Sequence, residues 1–261
     1  MIRTGSGEPL ILLHGVLGGP AHWREVAPLL APYHETVALS ALGHSGGRAP
    51  VRRPARIVDV IDEAERQMDE LGFDTAHIAG NSMGGWMAIE LARRGRARTV
   101  CALSPAGTWV IGSEEQQHGL RVLKAVVREG KMGRSTRGLA ARFGPMRHYA
   151  MRMAAEHGER MAPDHLLEIA QESEQCDVLE ELIGDRDAIA LLDPPPCPIT
   201  IAWSECDRIL PFETNGVRSR ELVPGATQVV LSGIGHVPMF DDPRKVADTI
   251  LQTTGAAPAS S

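Results

Sequence analysis

Six short apolar runs punctuate the chain: "PLILLHG" at 9–15, "ETVALSA" at 35–41, "AHIAG" at 76–80, "TVCALS" at 99–104, "ITIAW" at 199–203 and "TQVVLSG" at 227–233. Each is short, bounded by small or turn-forming residues, and apolar without strict alternation, the pattern of a strand covered on both faces. Helix-period segments lie between them. From Arg56 to Leu71, the apolar positions Ile57, Ile61, Ala64, Met68 and Leu71 fall on one helical face, with Pro54 before it and Gly72 after it. "GWMAIELARRG" at 85–95 ends on two arginines and a glycine, cations and a cap suited to a helix C-terminus. "DPRKVADTILQTT" at 242–254 reads as a closing helix. Such alternation selects an α/β fold, a mainly parallel doubly wound sheet between helical layers.

The pattern stops between about Thr108 and Asp193, where Arg, Glu, Met and Ala dominate and several helices are expected. "DPPPCP" at 193–198 then breaks the chain ahead of the fifth run. The expected organisation is one α/β core built from 1–107 and 194–254, an all-helical insertion at 108–193, and a disordered tail at 255–261.

At 261 residues the chain can bury a large core. Its formal charge of −6 and pI near 5.9 argue against nucleic acid or an anionic membrane as partner. No run approaches the roughly 18 apolar residues of a membrane span, and the N-terminus lacks a signal-peptide pattern. Cys101, Cys176, Cys197 and Cys206 form no C-x-x-C, so reduced thiols in the cytoplasm are expected. With no H-E-x-x-H and no Walker-type loop, neither metal nor cofactor is expected. Oligomeric state is left open, a dimer included.

The third run leads into "GNSMGG" at 80–85. Glycines two residues either side of Ser82 remove side chains that would crowd a sharp strand-to-helix turn and leave the hydroxyl exposed above the sheet. About one chain in ten of this length carries G-x-S-x-G by chance, so its context has to decide. A serine nucleophile needs a base, and the base an orienting acid. His236 follows the last run in "SGIGHVPMFDDP", and Asp207 follows the fifth in "AWSECDRILP". Alone, each reads as a loop residue; together they fall on the carboxyl edge of the sheet, where chemistry collects in open parallel folds. The turn "LLHGVLGG" at 12–19 offers the Val16 N–H as an oxyanion donor, and Met83 offers a second at the head of the next helix. His14 is read as packing under that loop rather than as a base.

These pieces resemble the α/β-hydrolase family over nearly the whole chain: "HGVLGG", "ALGHSGG", "GNSMGG", "CDRILP" and "GHVPMFDDP", in the order nucleophile, acid, histidine. "ALGHSGG" lacks the Asp and Pro usual in that loop, and Ser204 stands where the family usually has glycine. The resemblance implies that 108–193 is a cap over the pocket, whose loss should alter selectivity more than chemistry. Trp23 and Trp109 are the leading pocket candidates, with Leu17, Ile209 and Val237 beside the other motifs. Met132, Met146, Met151, Met153 and Met161 are read as core, with an adaptable pocket wall as the alternative. The insertion is also split by charge. Residues 121–152 hold nine Lys or Arg and one acid, and 156–193 hold twelve acids and two arginines. Two solvated or mutually paired faces are one reading. The other is that Arg134, Arg137 and Arg142 meet an anionic substrate group.

Three functions fit. The first is a serine hydrolase of a small-molecule carboxylic ester, lactone or thioester. The second is a C–C bond hydrolase of ring-fission products, because Asn81 before the serine is similar to their elbow. The third is a non-catalytic binding protein on the same scaffold. A serine rather than an aspartate at the elbow argues against the dehalogenases and epoxide hydrolases of this fold.

Overall fold

The computed structural model describes residues 1–183 and 187–256. All six apolar runs form strands: β2 (Pro9–Leu13), β3 (Glu35–Ala38), β4 (Ala76–Asn81), β5 (Ala97–Leu103), β6 (Ile199–Ser204) and β7 (Thr227–Leu231). A seventh, β1 (Ile2–Thr4), was not foreseen. It is three residues long, half exposed, and has no apolar run to announce it. The order is β1-β3-β2-β4-β5-β6-β7, with β1 antiparallel to β3 and every other pair parallel.

Neighbouring residues of each strand enter different cores, as the two-residue pleat requires. Ile11 and Leu13 join Ile78, Val100 and Ile201 under α2 (Ile57–Glu70) and α3 (Met83–Arg93). Leu10 and Leu12 join Ala79, Cys101 and Ala202 on the opposite face, under α1 (Ala27–Leu30) and the closing helix at Pro243–Thr254. Fully burying a side chain of this size contributes about 1.5–3 kcal/mol, so covering both faces explains why the runs are continuous rather than alternating. Helix α2 starts where Asp59 Oδ2 accepts the Arg56 N–H at 2.9 Å, and the chain leaves it through Gly72 at φ 79°.

Between β5 and β6 the described residues contain no strand. They form α4 (Glu114–Met132), α5 (Arg137–Ala140), α6 (Gly144–Met151), α7 (Pro163–Glu174) and α8 (Leu179–Leu182). The chain is back in the sheet core by Ile189 and Leu192, before the proline run. After β6 come α9 (Val217–Leu222), α10 (Pro238–Asp241) and α11, the closing helix already given. The tail expected to be disordered lies mostly, at 257–261, outside the described residues, as do Asp185 and Arg186 of the acidic stretch.

The acidic half of the insertion faces arginines of the core. Arg24 pairs with Asp164 at 2.8 Å and Glu168 at 3.1 Å, Arg53 with Asp177 at 3.0 Å and with Glu181, and Arg56 with Asp187 at 2.6 Å. The two halves also meet each other, since Arg134 and Arg137 both pair with Glu174.

Candidate active site

The turn from β4 into α3 holds Ser82 at φ 56°, a left-handed backbone that a serine adopts only under constraint. Three backbone bonds supply that constraint. Ser82 N–H donates to Leu103 O at 2.9 Å, and its carbonyl accepts from Trp86 at 3.1 Å and Ala106 at 2.9 Å. The flanking glycines are required sterically. A Cβ on Gly80 would overlap the Gly84 carbonyl, and one on Gly84 would overlap the Leu13 carbonyl of the next strand.

Asp207 and His236, both buried, meet at this edge, with His236 Nδ1 and Asp207 Oδ2 2.7 Å apart. The other Asp207 oxygen accepts from the Ile209 and Leu210 N–H groups at 2.9 and 2.8 Å, which fixes the carboxylate plane. Asn81 donates through Nδ2 to the His236 carbonyl at 2.9 Å, so the residue before Ser82 ties the histidine loop to the serine turn. The elbow resemblance drew attention to Asn81, but this tie involves a residue 155 positions away and leaves no local sequence signal. Among the described residues no hydrogen bond joins Ser82 Oγ to His236 Nε2.

Neither the Val16 N–H nor the Met83 N–H donates to an acceptor among the described residues. The loop that carries Val16 rests on His14. Its Nε2 accepts the Ala41 N–H at 3.1 Å, so Nδ1 carries the proton, 2.8 Å from the Gly15 carbonyl. Burial, reinforced by the neighbouring His44, pushes the His14 pKa well below the usual histidine range and keeps the ring neutral.

A cavity of about 80 Å³ opens beside Ser82, lined largely by apolar side chains. Val16, Met83, Trp109 and Ile209 contribute to its wall. Trp23 does not. The loop turns through Gly18, Gly19 and Pro20 into a 3-10 turn that carries Trp23 to the opposite core, where it is fully buried with Val26 and Leu30. Leu17 and Val237 are also absent from the wall. Leu17 sits in a left-handed turn at φ 66°, and Val237 packs into the second core while its N–H donates to Ala154 O at 2.8 Å. The five methionines stay out as well: Met151 and Met161 are core, Met153 is half-buried, and Met132 and Met146 are exposed. The insertion instead supplies Gln116, Gly119, Leu120 and Leu123, an i, i+3, i+4, i+7 stripe of α4. That periodicity was present in the sequence, but nothing local says what the stripe faces. No Lys, Arg or His is among the described wall residues, and Arg134, Arg137 and Arg142 lie elsewhere. No group of three or more metal-ligating side chains occurs among the described residues.

Similarity to known proteins agrees with this architecture. The model of the alpha/beta hydrolase family matches residues 10–249. Epoxide hydrolase EphH of Mycobacterium tuberculosis is 32% identical over 202 residues, which is 73% of this chain and 91% of that protein. Lipase 3 of a Moraxella species is 22% identical, over 93% of this chain and 76% of its own length. Among solved structures, carboxylesterase CesB from Bacillus subtilis superposes with a TM-score of 0.73 at 20% identity, covering 98% of this chain and 87% of its own. A meta-cleavage product hydrolase from Pseudomonas fluorescens gives 0.73 at 20% identity, covering 97% and 93%. The family match runs from the first parallel strand into the closing helix, and this chain belongs to the alpha/beta hydrolase family.

Proposed function

We propose that the chain is a serine hydrolase of carboxylic esters, lactones or thioesters that carry an apolar group. The observation that carries this reading is the buried Asp207–His236 hydrogen bond of 2.7 Å, made at the same sheet edge as the left-handed Ser82. In the proposed cycle Ser82 Oγ attacks the carbonyl carbon as His236 Nε2 takes its proton, the contact closing when substrate fills the cavity. The Val16 and Met83 N–H groups receive the oxyanion, at the N-terminus of α3, where the helix dipole adds to them. Collapse expels the alcohol or thiol, which leaves with the proton from His236. Water then attacks the acyl-serine by the same steps, and the acid is released. Asp207 holds the imidazole in the tautomer this requires.

The apolar wall supports a neutral ester over a ring-fission product. One relative, from Burkholderia cepacia, is named 2-hydroxy-6-oxo-6-phenylhexa-2,4-dienoate hydrolase, at 34% identity over 40% of this chain. Such a dienoate brings a carboxylate, and a buried carboxylate needs a cation or several donors. The wall has no Lys, Arg or His among the described residues. Epoxide opening fits less well. Serine attack on an epoxide would leave an alkyl ether, which has no carbonyl for water to attack.

No helix among the described residues is long and apolar enough to cross a membrane, and all four cysteines are free thiols. A cytoplasmic location is part of this proposal. A fluorophosphonate should label Ser82, p-nitrophenyl esters should turn over, and Ser82→Ala should abolish both in a folded protein. Asp207→Asn should lower kcat by about 10⁴, the precedent set by another fold. Labelling without turnover on a broad ester panel would favour the binding protein. Full activity in Ser82→Ala would end the mechanism.

A further inference from the structure

The loop carrying His236 is gripped by a carboxylate outside the triad. Asp241, buried in α10, accepts three backbone N–H groups: Oδ2 from Gly235 at 2.8 Å and Glu156 at 3.0 Å, and Oδ1 from His157 at 2.7 Å. Gly235 immediately precedes the histidine, whereas Glu156 and His157 belong to the turn between α6 and α7 of the helical insertion. No cation pairs with Asp241 among the described residues. Three amide dipoles meet its charge instead, as in other buried carboxylates held by backbone donors.

The surrounding contacts serve the same junction. On the other side of the histidine, Val237 N–H donates to Ala154 O at 2.8 Å. A Cβ on Gly235 would lie 2.9 Å from Ala155 Cα and 3.0 Å from Ala154 O, so the two backbones touch here. Arg208, next to Asp207, donates to Arg152 O at 2.8 Å and pairs with Glu156 at 2.5 Å. The histidine loop is therefore pinned on both sides to residues 154–157 of the insertion.

We propose that Asp241 is a positioning residue for His236, and that through it the insertion sets the alignment of the base. This rests on the hydrolase reading above, and it gives the insertion a larger part in the chemistry than the expectation that its loss alters selectivity more than chemistry. Asparagine at 241 keeps the volume but turns an NH₂ toward at least one N–H donor. One bond is lost and a repulsion is added, which frees one side of the loop.

The test uses the full chain. Asp241→Asn should lower kcat on p-nitrophenyl esters roughly 10- to 100-fold, the scale of a small misplacement, with KM nearly unchanged. The downfield ¹H resonance of His236 Nδ1–H should shift or broaden. Arg147→Ala removes two bonds internal to the insertion, to Ala141 O and Glu159 O, and serves as a control for general loosening. It should keep both kcat and the resonance. A folded Asp241→Asn protein with kcat within twofold and an unchanged resonance would overturn the proposal. So would equal losses in Arg147→Ala. If Asp241→Asn does not fold, Asp241→Glu, which keeps the charge one methylene further out, is read in the same way. The resonance is measured whether or not the wild type turns over esters, so failure of the hydrolase reading would be seen separately.

Discussion

Between β4 and α3 the chain turns on backbone contacts, with the Gly80 and Gly84 Cα atoms pressed against carbonyl oxygens. At the rim of the insertion, by contrast, exposed ion pairs such as Arg24–Asp164 and Arg53–Asp177 join it to the core, outside the apolar contacts of Met161, Leu166 and Ile169. Gly130 and Gly138 in its helices have no atom within 4 Å of a would-be Cβ. The elbow is therefore specified by excluded volume, which tolerates almost no change. The rim of the insertion is held by weak, solvent-screened charge, which tolerates a great deal. Substrate preference can drift in the second region while the first stays fixed, except at the Asp241 junction, where the insertion touches the histidine loop directly.

One substitution made in both regions should split them most sharply. Gly84→Ala drives a methyl group into the Leu13 carbonyl and should cost more than about 3 kcal/mol, or prevent folding. Gly130→Ala, inside α4, should stabilise the protein by up to ~1 kcal/mol, because it removes glycine's helix penalty into open space. Urea titration of both proteins measures the contrast, and similar losses in the two would dissolve it.

A smaller effect is expected at His22, buried beside the loop that carries Val16, with neither ring nitrogen hydrogen-bonded. Burial, followed by the charges of His165 and His44, lowers its pKa to about 3. The unfolded chain takes up a proton near pH 6.5, where the folded chain does not, so folding is penalised as pH falls from 6.5 toward 3. His22→Leu removes that penalty. Its advantage over wild type should grow by about 2 kcal/mol between pH 7.5 and pH 5. An advantage independent of pH would mean that His22 takes up its proton as readily in the native state as in the unfolded chain.

The smallest effect belongs to the surface pairs. Arg24→Ala, which breaks the pairs with Asp164 and Glu168, should cost no more than about 1 kcal/mol, and less at high salt. A loss of several kcal/mol that persists in 0.5 M salt would show that charge holds the insertion as firmly as sterics hold the elbow.

The strands and the positions of Ser82, Asp207 and His236 were legible because each is local, a loop residue directly after an apolar run. Nonlocal features were not legible. Trp23 follows the Val16 loop in sequence, but the turn at Gly18–Pro20 sends it through to the opposite core. The α4 stripe is visible as a period, but its partner depends on how the insertion lies. Asp241 reads as one more acid in "MFDDP", and only the arrival of Glu156 and His157 from 84 or 85 residues earlier gives its charge a purpose. Strand β1 is too short to show a pattern at all.

The cavity wall also bears on the direction of the reaction. On the ester reading, a neutral guest enters an apolar chamber and an anion must leave it, because the acid formed ionises at neutral pH. The described wall offers that anion no Lys, Arg or His. The chamber thus favours what it admits and disfavours what it makes. On that reading the acid should leave readily, and accumulated product should compete only weakly for the site.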